Sequence, residues 1–572
     1  MPSAPARSNT STPAARTMAG TLAVFMERRT LIMMALGFAA GLPYLLIFDT
    51  LSAWLRQEGL SLQVIGFFSL ATLVSAFKFL WAPIIDRTQV PVLTTWLGHR
   101  RSWMLLCQSI LVIGLLLIAG QNPTSSLGTM AALAVLVSFW SATQDIVIDA
   151  WRIEVADSSR QGAMAAAYQW GYRLATITAG AAPLLLAESL GWNFSYGVMA
   201  ILMGTSVLAT LGAPREAQHS VRETSVAGVP RRPAGDAFEW VARLVVLGMG
   251  ALILGSGLTA NASLLSAMTA GIGLGGWGEA IVAAWRSPFG VWYQLLGVIA
   301  GFVVIIAAVL PLPGRRTLPG TYLSAALGDP LRNFFARYGR SASLMLALVC
   351  VYRLSDFVLN IMNPFYLDLG FTLVEVAEVR KIFGVVATMV GVFAGGYVVA
   401  RIGLLRALLI GAFGGPLSNL MFLWLATRGH DVWALFAAIG VDNALSGFGA
   451  TCLIAYMSSL TTEGFTATQY ALFSSLYALP GRLVASQSGR IVEAAAKSAE
   501  AGGPLSGLRS LFTNLPQESF ASALEKSGVS PAALASGYAT FFAYSCAIGL
   551  FAVVLTFAVQ RVSVPPPAGA DV

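Results

Sequence analysis

The chain has 572 residues, of which 56% are hydrophobic and only 11% charged, less than half the charged share of an ordinary soluble domain, so a water-soluble globule is excluded. Its mean hydropathy of +0.72 comes from continuous apolar runs of about 20 residues, each long enough to cross a ~30 Å hydrocarbon core, and not from the alternation of an outer-membrane barrel. The net charge of +8 is scattered over short hydrophilic segments without an aromatic-basic stripe, which marks membrane topology and not nucleic-acid binding.

Residues 1–30 are rich in Ser, Thr, Pro and Ala, and their one apolar run ends in Glu27-Arg28-Arg29. That pattern fits a cytoplasmic tail better than a cleavable signal peptide. Six spans are expected near 31–53, 63–85, 102–119, 127–149, 163–187 and 194–213, forming an N-terminal half over 31–213. A central linker, 214–341, carries two more near 239–259 and 289–310. Six others, near 342–366, 374–399, 403–426, 432–458, 466–489 and 536–560, make a C-terminal half over 342–560 with a long outer loop at 490–535. Residues 561–572 form a second cytoplasmic tail. The expectation is therefore an all-α polytopic membrane protein of about 14 spans.

Cytoplasmic loops of membrane proteins concentrate Lys and Arg. With both termini inside, twenty-one arginines fall in short inner segments, whereas Arg56, Arg286 and Arg428 alone fall in short outer loops. The apolar, glycine-rich stretch 262–285 is read as re-entrant or interfacial, because a full span there would turn Arg401 and Arg406 outward.

The two sets of six resemble each other. Gly59-Leu60-Ser61-Leu62 recurs as Gly370-Phe371-Thr372-Leu373, and Ala142-Thr143, Gln161 and Ala163 recur 308 residues later as Ala450-Thr451, Gln469 and Ala471. Two related six-helix halves in one orientation are the major facilitator architecture, with the solute site between the halves near the bilayer midplane.

Asp86-Arg87 followed by Gly98-His99-Arg100-Arg101 resembles the major facilitator loop of an Asp, a basic residue, Gly and paired basic residues. Gly395-Gly396, Arg401, Gly403 and Arg406 stand at the matching place in the second half. There Ala400 replaces the aspartate, and the first loop carries an insertion of about nine residues. Asp86, Arg87, Arg100, Arg101, Arg401 and Arg406 are expected to form a cytoplasmic latch that breaks when the halves rock. Plain positive-inside charge is the simpler alternative.

Charges inside the spans are costly, about 2.5–3.5 kcal/mol each on insertion scales, and mark candidate function. Asp145, Asp149 and Arg152 share one helix face at i, i+4 and i+7. The deeper Asp145, with Asp149, is the candidate proton-coupling site, although Asp149 and Arg152 also fit a simple helix end. Lys78, Gln169, Arg173, Arg353, Asp356 and Asn360 are candidate solute ligands, unless the charges merely neutralise one another. Asp49, Asp442, Asn443 and Arg482 are weaker candidates. The GxxxG pairs Gly37/Gly41, Gly391/Gly395 and Gly411/Gly415 read as helix packing.

No cofactor or metal site is expected. Cys107, Cys350, Cys452 and Cys546 each stand alone in a different apolar stretch, and His99, His219 and His430 lie in separate connections. None of the lysines, Lys78, Lys381, Lys497 and Lys526, follows a glycine, so no Walker A loop is present. Gly271, Gly273 and Gly276 follow no strand and do not make a dinucleotide site.

Several runs together resemble AmpG-type permeases, of the peptide/acetyl-coenzyme A transporter branch of the major facilitators. They are Leu36-Gly37-Phe38-Ala39-Ala40-Gly41-Leu42-Pro43, Phe77-Lys78-Phe79-Leu80-Trp81-Ala82-Pro83 and Ser141-Ala142-Thr143-Gln144-Asp145-Ile146, with Asp149-Ala150-Trp151-Arg152, Gly171-Tyr172-Arg173-Leu174, Asn363-Pro364-Phe365-Tyr366 and Ala467-Thr468-Gln469. The resemblance covers about 30–215 and 340–490. It implies proton-driven import of anhydromuropeptides, a disaccharide with a short peptide, across a bacterial inner membrane for peptidoglycan recycling. The implied partners are the muropeptide, protons and the bilayer, and a monomer is expected. Cationic Lys78, Arg173 and Arg353 suit such a solute, as do the aromatic rings of Trp54, Trp81, Trp151 and Tyr172. A same-family carrier of another bulky anion, such as acetyl-coenzyme A or a peptide, stays open, as does, more remotely, a membrane enzyme acting on lipid-linked sugars.

Overall fold

A computed structural model describes residues 23–59, 75, 77–157, 160–216, 229–259, 263–271, 273–287, 289–312, 314–356, 361–372, 375–376, 378–485 and 488–562. The elements are helical throughout. The N-terminal half holds α1 (Arg28–Leu45), α2 (Leu51–Gln57), α3 (Ala82–Arg87), α4 (His99–Ala119), α5 (Leu127–Val155), α6 (Gln161–Leu190) and α7 (Trp192–Gly212). The linker holds α8 (Pro233–Thr259), α9 (Ser263–Gly271), α10 (Gly275–Arg286), α11 (Gly290–Val309) and α12 (Leu318–Tyr338). The C-terminal half holds α13 (Ser341–Val351), α14 (Met362–Asp368), α15 (Gly384–Ile402), α16 (Leu404–Arg428), α17 (Val432–Ser459), α18 (Thr466–Ala485), α19 (Ser488–Glu500) and α20 (Pro531–Arg561).

Nine helices among the described residues are long and apolar enough to cross a membrane, or ten if α12 and the following helix, bent by 113° at their junction, count as one span. The expected fourteen do not emerge as a count. The first expected span contains Pro43 and then a π-helical turn, Leu46–Thr50, before α2; such turns absorb an extra residue and cluster at functional sites. Most of the second lies outside the described residues. The seventh is divided into α13 and α14, with 357–360 between them also outside.

Each half has its own core. Leu42, Trp54, Leu111, Val137, Tyr196 and Met203 belong to one cluster of the first half, and Phe365, Phe422, Phe520, Phe541 and Phe542 to one of the second. Small residues let the helices approach, as expected of GxxxG patterns. A methyl at Gly37 would overlap the Tyr168 carbonyl of α6, and one at Gly391 the Ala444 carbonyl of α17. α8 and α11 form a hairpin packed through Leu247, Leu254, Val298 and Ile305 against Phe77. The ambiguous stretch forms α9 and α10, of 9 and 12 residues. At 1.5 Å per residue each is too short to span. Beyond α18, the expected outer loop is ordered by α19, which packs along α20, and by Phe512 and Phe520, both buried in the second half's core.

Candidate functional site

At the arginine-rich end of the bundle, the inner end in the orientation expected above, the first half reaches across to the second through Asp86. This residue sits near the C-terminus of α3, and its carboxylate accepts hydrogen bonds from the backbone N–H groups of Ala467 (3.2 Å) and Thr468 (2.9 Å) and from the Thr468 hydroxyl (2.7 Å). These donors belong to the first turn of α18. Such N–H groups have no partner within the helix and carry the positive end of its dipole, so a carboxylate there satisfies both.

Arg100 holds the carboxylate in place. Its guanidinium lies 2.8 Å from Asp86 and 2.6 Å from Glu154, and the backbone N–H of Arg100 donates to Glu216 at 2.9 Å. Arg100 and Asp86 are 0% and 1% exposed, so this is a paired, desolvated network and not a surface cluster. The insertion in the loop does not disturb it. Leu93–Leu97 forms a short helix, and Gly98, at a φ of 93°, turns the chain into α4 so that Arg100 points back at Asp86.

The other expected latch residues divide. Arg87 donates to the Ala325 carbonyl of α12 at 3.0 Å and lies 3.8 Å from Asp329. Arg101 is bound to the Leu211 carbonyl within its own half. In the second half Arg401 bonds the Tyr397 hydroxyl of its own helix, and Arg406 is exposed with no ion pair among the described residues. Glu154 and Glu216, which close the buried network, were not singled out in the sequence. Their only signal was acidity among the arginines of the inner end.

Further contacts join the halves nearer the membrane. Arg152 donates to the Ser458 hydroxyl at 3.0 Å, lies 3.3 Å from Asp149 and sits over the Tyr470 ring. Gln169 donates to Thr451 at 2.7 Å and the Trp170 indole to the Met389 carbonyl at 2.8 Å. The repeat-related glutamines do matching work: Gln161 donates to the carbonyls of Arg152, Ile153 and Ala156, and Gln469 accepts from the Thr462 N–H. Each ties the start of its helix to the turn before it.

The remaining charges form contacts of their own. Lys78 acts electrostatically on both Asp145 and Asp149. One oxygen of Asp145 is buried with no hydrogen-bond partner among the described residues, whereas Asp149 is engaged by Arg152. Arg173, one turn beyond Gln169 on α6, is flanked electrostatically by Arg353 of the other half and by Tyr172. It makes no ion pair among the described residues. Arg353 is bound to Asp356 and donates to Ser446 at 2.9 Å. Asp442 accepts from Ser418 at 2.7 Å, and Asn443 accepts from Thr388 at 3.0 Å. Asn360 and the side chains of Asp49 and Arg482 lie outside the described residues.

The aromatic expectation needs correction. Trp54 and Trp151 are 1% and 0% exposed, each packed in a core of the first half, so neither offers a face to a solute. Trp81 and Tyr172 are half-buried, and the Trp81 indole donates to Thr143.

The chain matches the Major Facilitator Superfamily over residues 59–268. It is 31% identical to the anhydromuropeptide permease of Escherichia coli K12 over 83% of this chain and 76% of that one. It is 28% identical to the putative transporter AmpG 4 of Rickettsia felis over 82% and 91%. Among solved structures it resembles the proton:xylose symporter XylE bound to 6-bromo-6-deoxy-D-glucose, with a TM-score of 0.51 at 10% identity over 96% of this chain and 97% of that one. This last likeness bears on the fold alone, that of a major facilitator.

Proposed function

The chain belongs to the AmpG-type, anhydromuropeptide permease family of the major facilitators, and from that premise we propose that it imports anhydromuropeptides across a bacterial inner membrane in symport with protons. The observation that carries the substrate class is the 31% identity to the Escherichia coli permease over 83% of this chain. The geometry supports a carrier rather than an enzyme. Charged groups of the two halves approach each other at Arg173 and Arg353, and the arginine-rich ends of the halves are joined through Asp86, which supports a carrier closed at that end.

The solute enters from the outer side and is held by one cation from each half. Arg353 is already paired with Asp356. Arg173 has no such carboxylate among the described residues, and an unpaired charge within the bilayer is costly unless something pairs with it. The carboxylates of a muropeptide's peptide supply that partner. Asp145 serves as the proton site, since its buried free oxygen can carry a proton and Lys78 can take over the pairing when the proton leaves. The neighbouring Asp149 is committed to Arg152. Opening inward then requires Asp86 to leave the N-terminus of α18, after which the halves rock about the loaded site. The carrier works as a monomer with both termini in the cytoplasm.

Uptake of labelled anhydromuropeptide into energised right-side-out vesicles tests this. Accumulation that collapses with a protonophore is expected. Accumulation of acetyl-coenzyme A instead, or protonophore-insensitive muropeptide uptake, contradicts the substrate or the coupling respectively.

A further inference from the structure

The linker helix α12 lies under both halves, and the contacts at its two ends differ in kind. Its C-terminal part belongs to the second half. Phe334 and Tyr338 are 1% and 6% exposed in the same core cluster as Met345, Met457 and Phe473, and the Phe334 and Phe473 ring centroids are 5.3 Å apart. The Gln469 amide donates to the Pro330 carbonyl at 2.9 Å, and Arg337 donates to the Thr461 carbonyl at 3.2 Å. Its N-terminal end is tied to the extra hairpin: Thr317 donates to Glu239 at 2.7 Å, and Glu239 in turn pairs with Arg243 at 2.7 Å. The first half meets α12 through Arg87, at the Ala325 carbonyl and the partly exposed Asp329.

We propose that α12 is a gating bolt of the inner face: it moves with the second half, and the grip of Arg87 on Ala325 and Asp329 is the contact that breaks each time the carrier opens inward. Adjacent residues thus hold two different elements of the opposite side, Asp86 the first turn of α18 and Arg87 the linker helix. The strengths decide which contact yields. Parting α12 from the second half would expose the buried rings of Phe334 and Tyr338 and forfeit their apolar burial. Parting Arg87 from Asp329 breaks a long ion pair to a partly exposed carboxylate, and such pairs contribute less than buried aromatic rings. The bolt therefore opens at Arg87, and the hairpin of α8 and α11, attached to the same helix through Glu239 and Thr317, is drawn along with every cycle. Through it, the linker hairpin has a mechanical connection to the gate.

The inference rests on the carrier reading, but its first test needs no solute. In a chain whose four cysteines are replaced, Thr176→Cys, one turn outward of Arg173, reports access from outside to a membrane-impermeant maleimide. Arg87→Ala should lower its labelling rate roughly two- to five-fold as the inner end opens more often, and Asp329→Ala should lower it less. Unchanged labelling in both variants overturns the proposal, whatever the solute is. In the second test Arg87→Cys and Asp329→Cys are joined by a short bis-thiosulfonate reagent. Solute exchange should stop on joining and return with reductant. Exchange at the unjoined rate, or failure of the reagent to join the two cysteines, overturns it.

Discussion

The two halves use their charges at opposite ends. In the first half, Asp86, Arg100 and Glu154 form a buried network at the inner end that reaches into the other half. In the second half, the matching loop has Ala400 where the aspartate would be, and Arg401 turns to its own helix. Its side-chain cluster stands instead at the other end. His430 lies 3.4 Å from Glu375 and 3.6 Å from Glu518 while its N–H donates to Ser519, which binds the outer segment back onto its own half. A repeated loop therefore does not mean a repeated device. One half carries the grip and the other supplies the helix end that is gripped.

The largest effect should come from breaking the network at its centre. Arg100→Ala leaves two carboxylates buried beside each other, and removing one partner of a buried pair costs about 3–5 kcal/mol. The unfolding midpoint of the purified carrier in detergent should fall by several degrees. A midpoint within a degree of wild type would show that the network is not desolvated.

Asp86→Asn keeps the shape but removes the charge that faces the N-terminus of α18, a loss of about 1–2 kcal/mol. The variant should remain folded, and Thr176→Cys should label up to roughly thirty-fold more slowly from outside. Equal labelling would mean that the charge does not hold the inner end shut.

A smaller effect is expected at the outer cluster. The backbone N–H and hydroxyl of Thr372, together with His430, hold the Glu375 carboxyl below the usual range. A depressed folded-state pKa gives stability that is present above the unfolded carboxylate value, near ~4.3, and is lost as pH falls through the folded value. Thermal scans at pH 6 and below 4 should therefore show a smaller acid-induced drop in Glu375→Gln than in wild type. An identical drop removes Glu375 from the outer brace.

The smallest change should follow Arg401→Ala combined with Arg406→Ala. Exposed arginines with no cross-half partner among the described residues contribute within about 0.5 kcal/mol, so Thr176→Cys labelling and midpoint should both match wild type. A shift comparable to that of Asp86→Asn would restore the symmetric latch that the repeat suggests.

Local spacing made part of this legible. Arg353 and Asp356 stand three residues apart and do pair. Asp86 and Arg100, picked out by a loop pattern, also meet, even across the insertion. Contacts that depend on how the halves face each other left little trace in the chain. Thr468 lies 382 residues from Asp86, and nothing near Glu154 or Glu216 marks them as Arg100 partners. Trp54 and Trp151 look the same in sequence whether they face a cavity or a core, because an apolar span is hydrophobic on every side. Their burial depends on packing against Trp192 and Tyr196 in one case, and on the Trp151 indole donating to the Pro214 carbonyl in the other.

Proton-driven import stands or falls most directly on Asp145. Asparagine there preserves shape and most hydrogen bonding but cannot carry the proton, so Asp145→Asn should lose accumulation of labelled anhydromuropeptide driven by a pH gradient while keeping counterflow exchange across the same vesicles. A variant that still concentrates the solute, and still loses it with a protonophore, places the coupled proton elsewhere. A variant that loses exchange as well makes Asp145 a solute or structural ligand, and the coupling role fails.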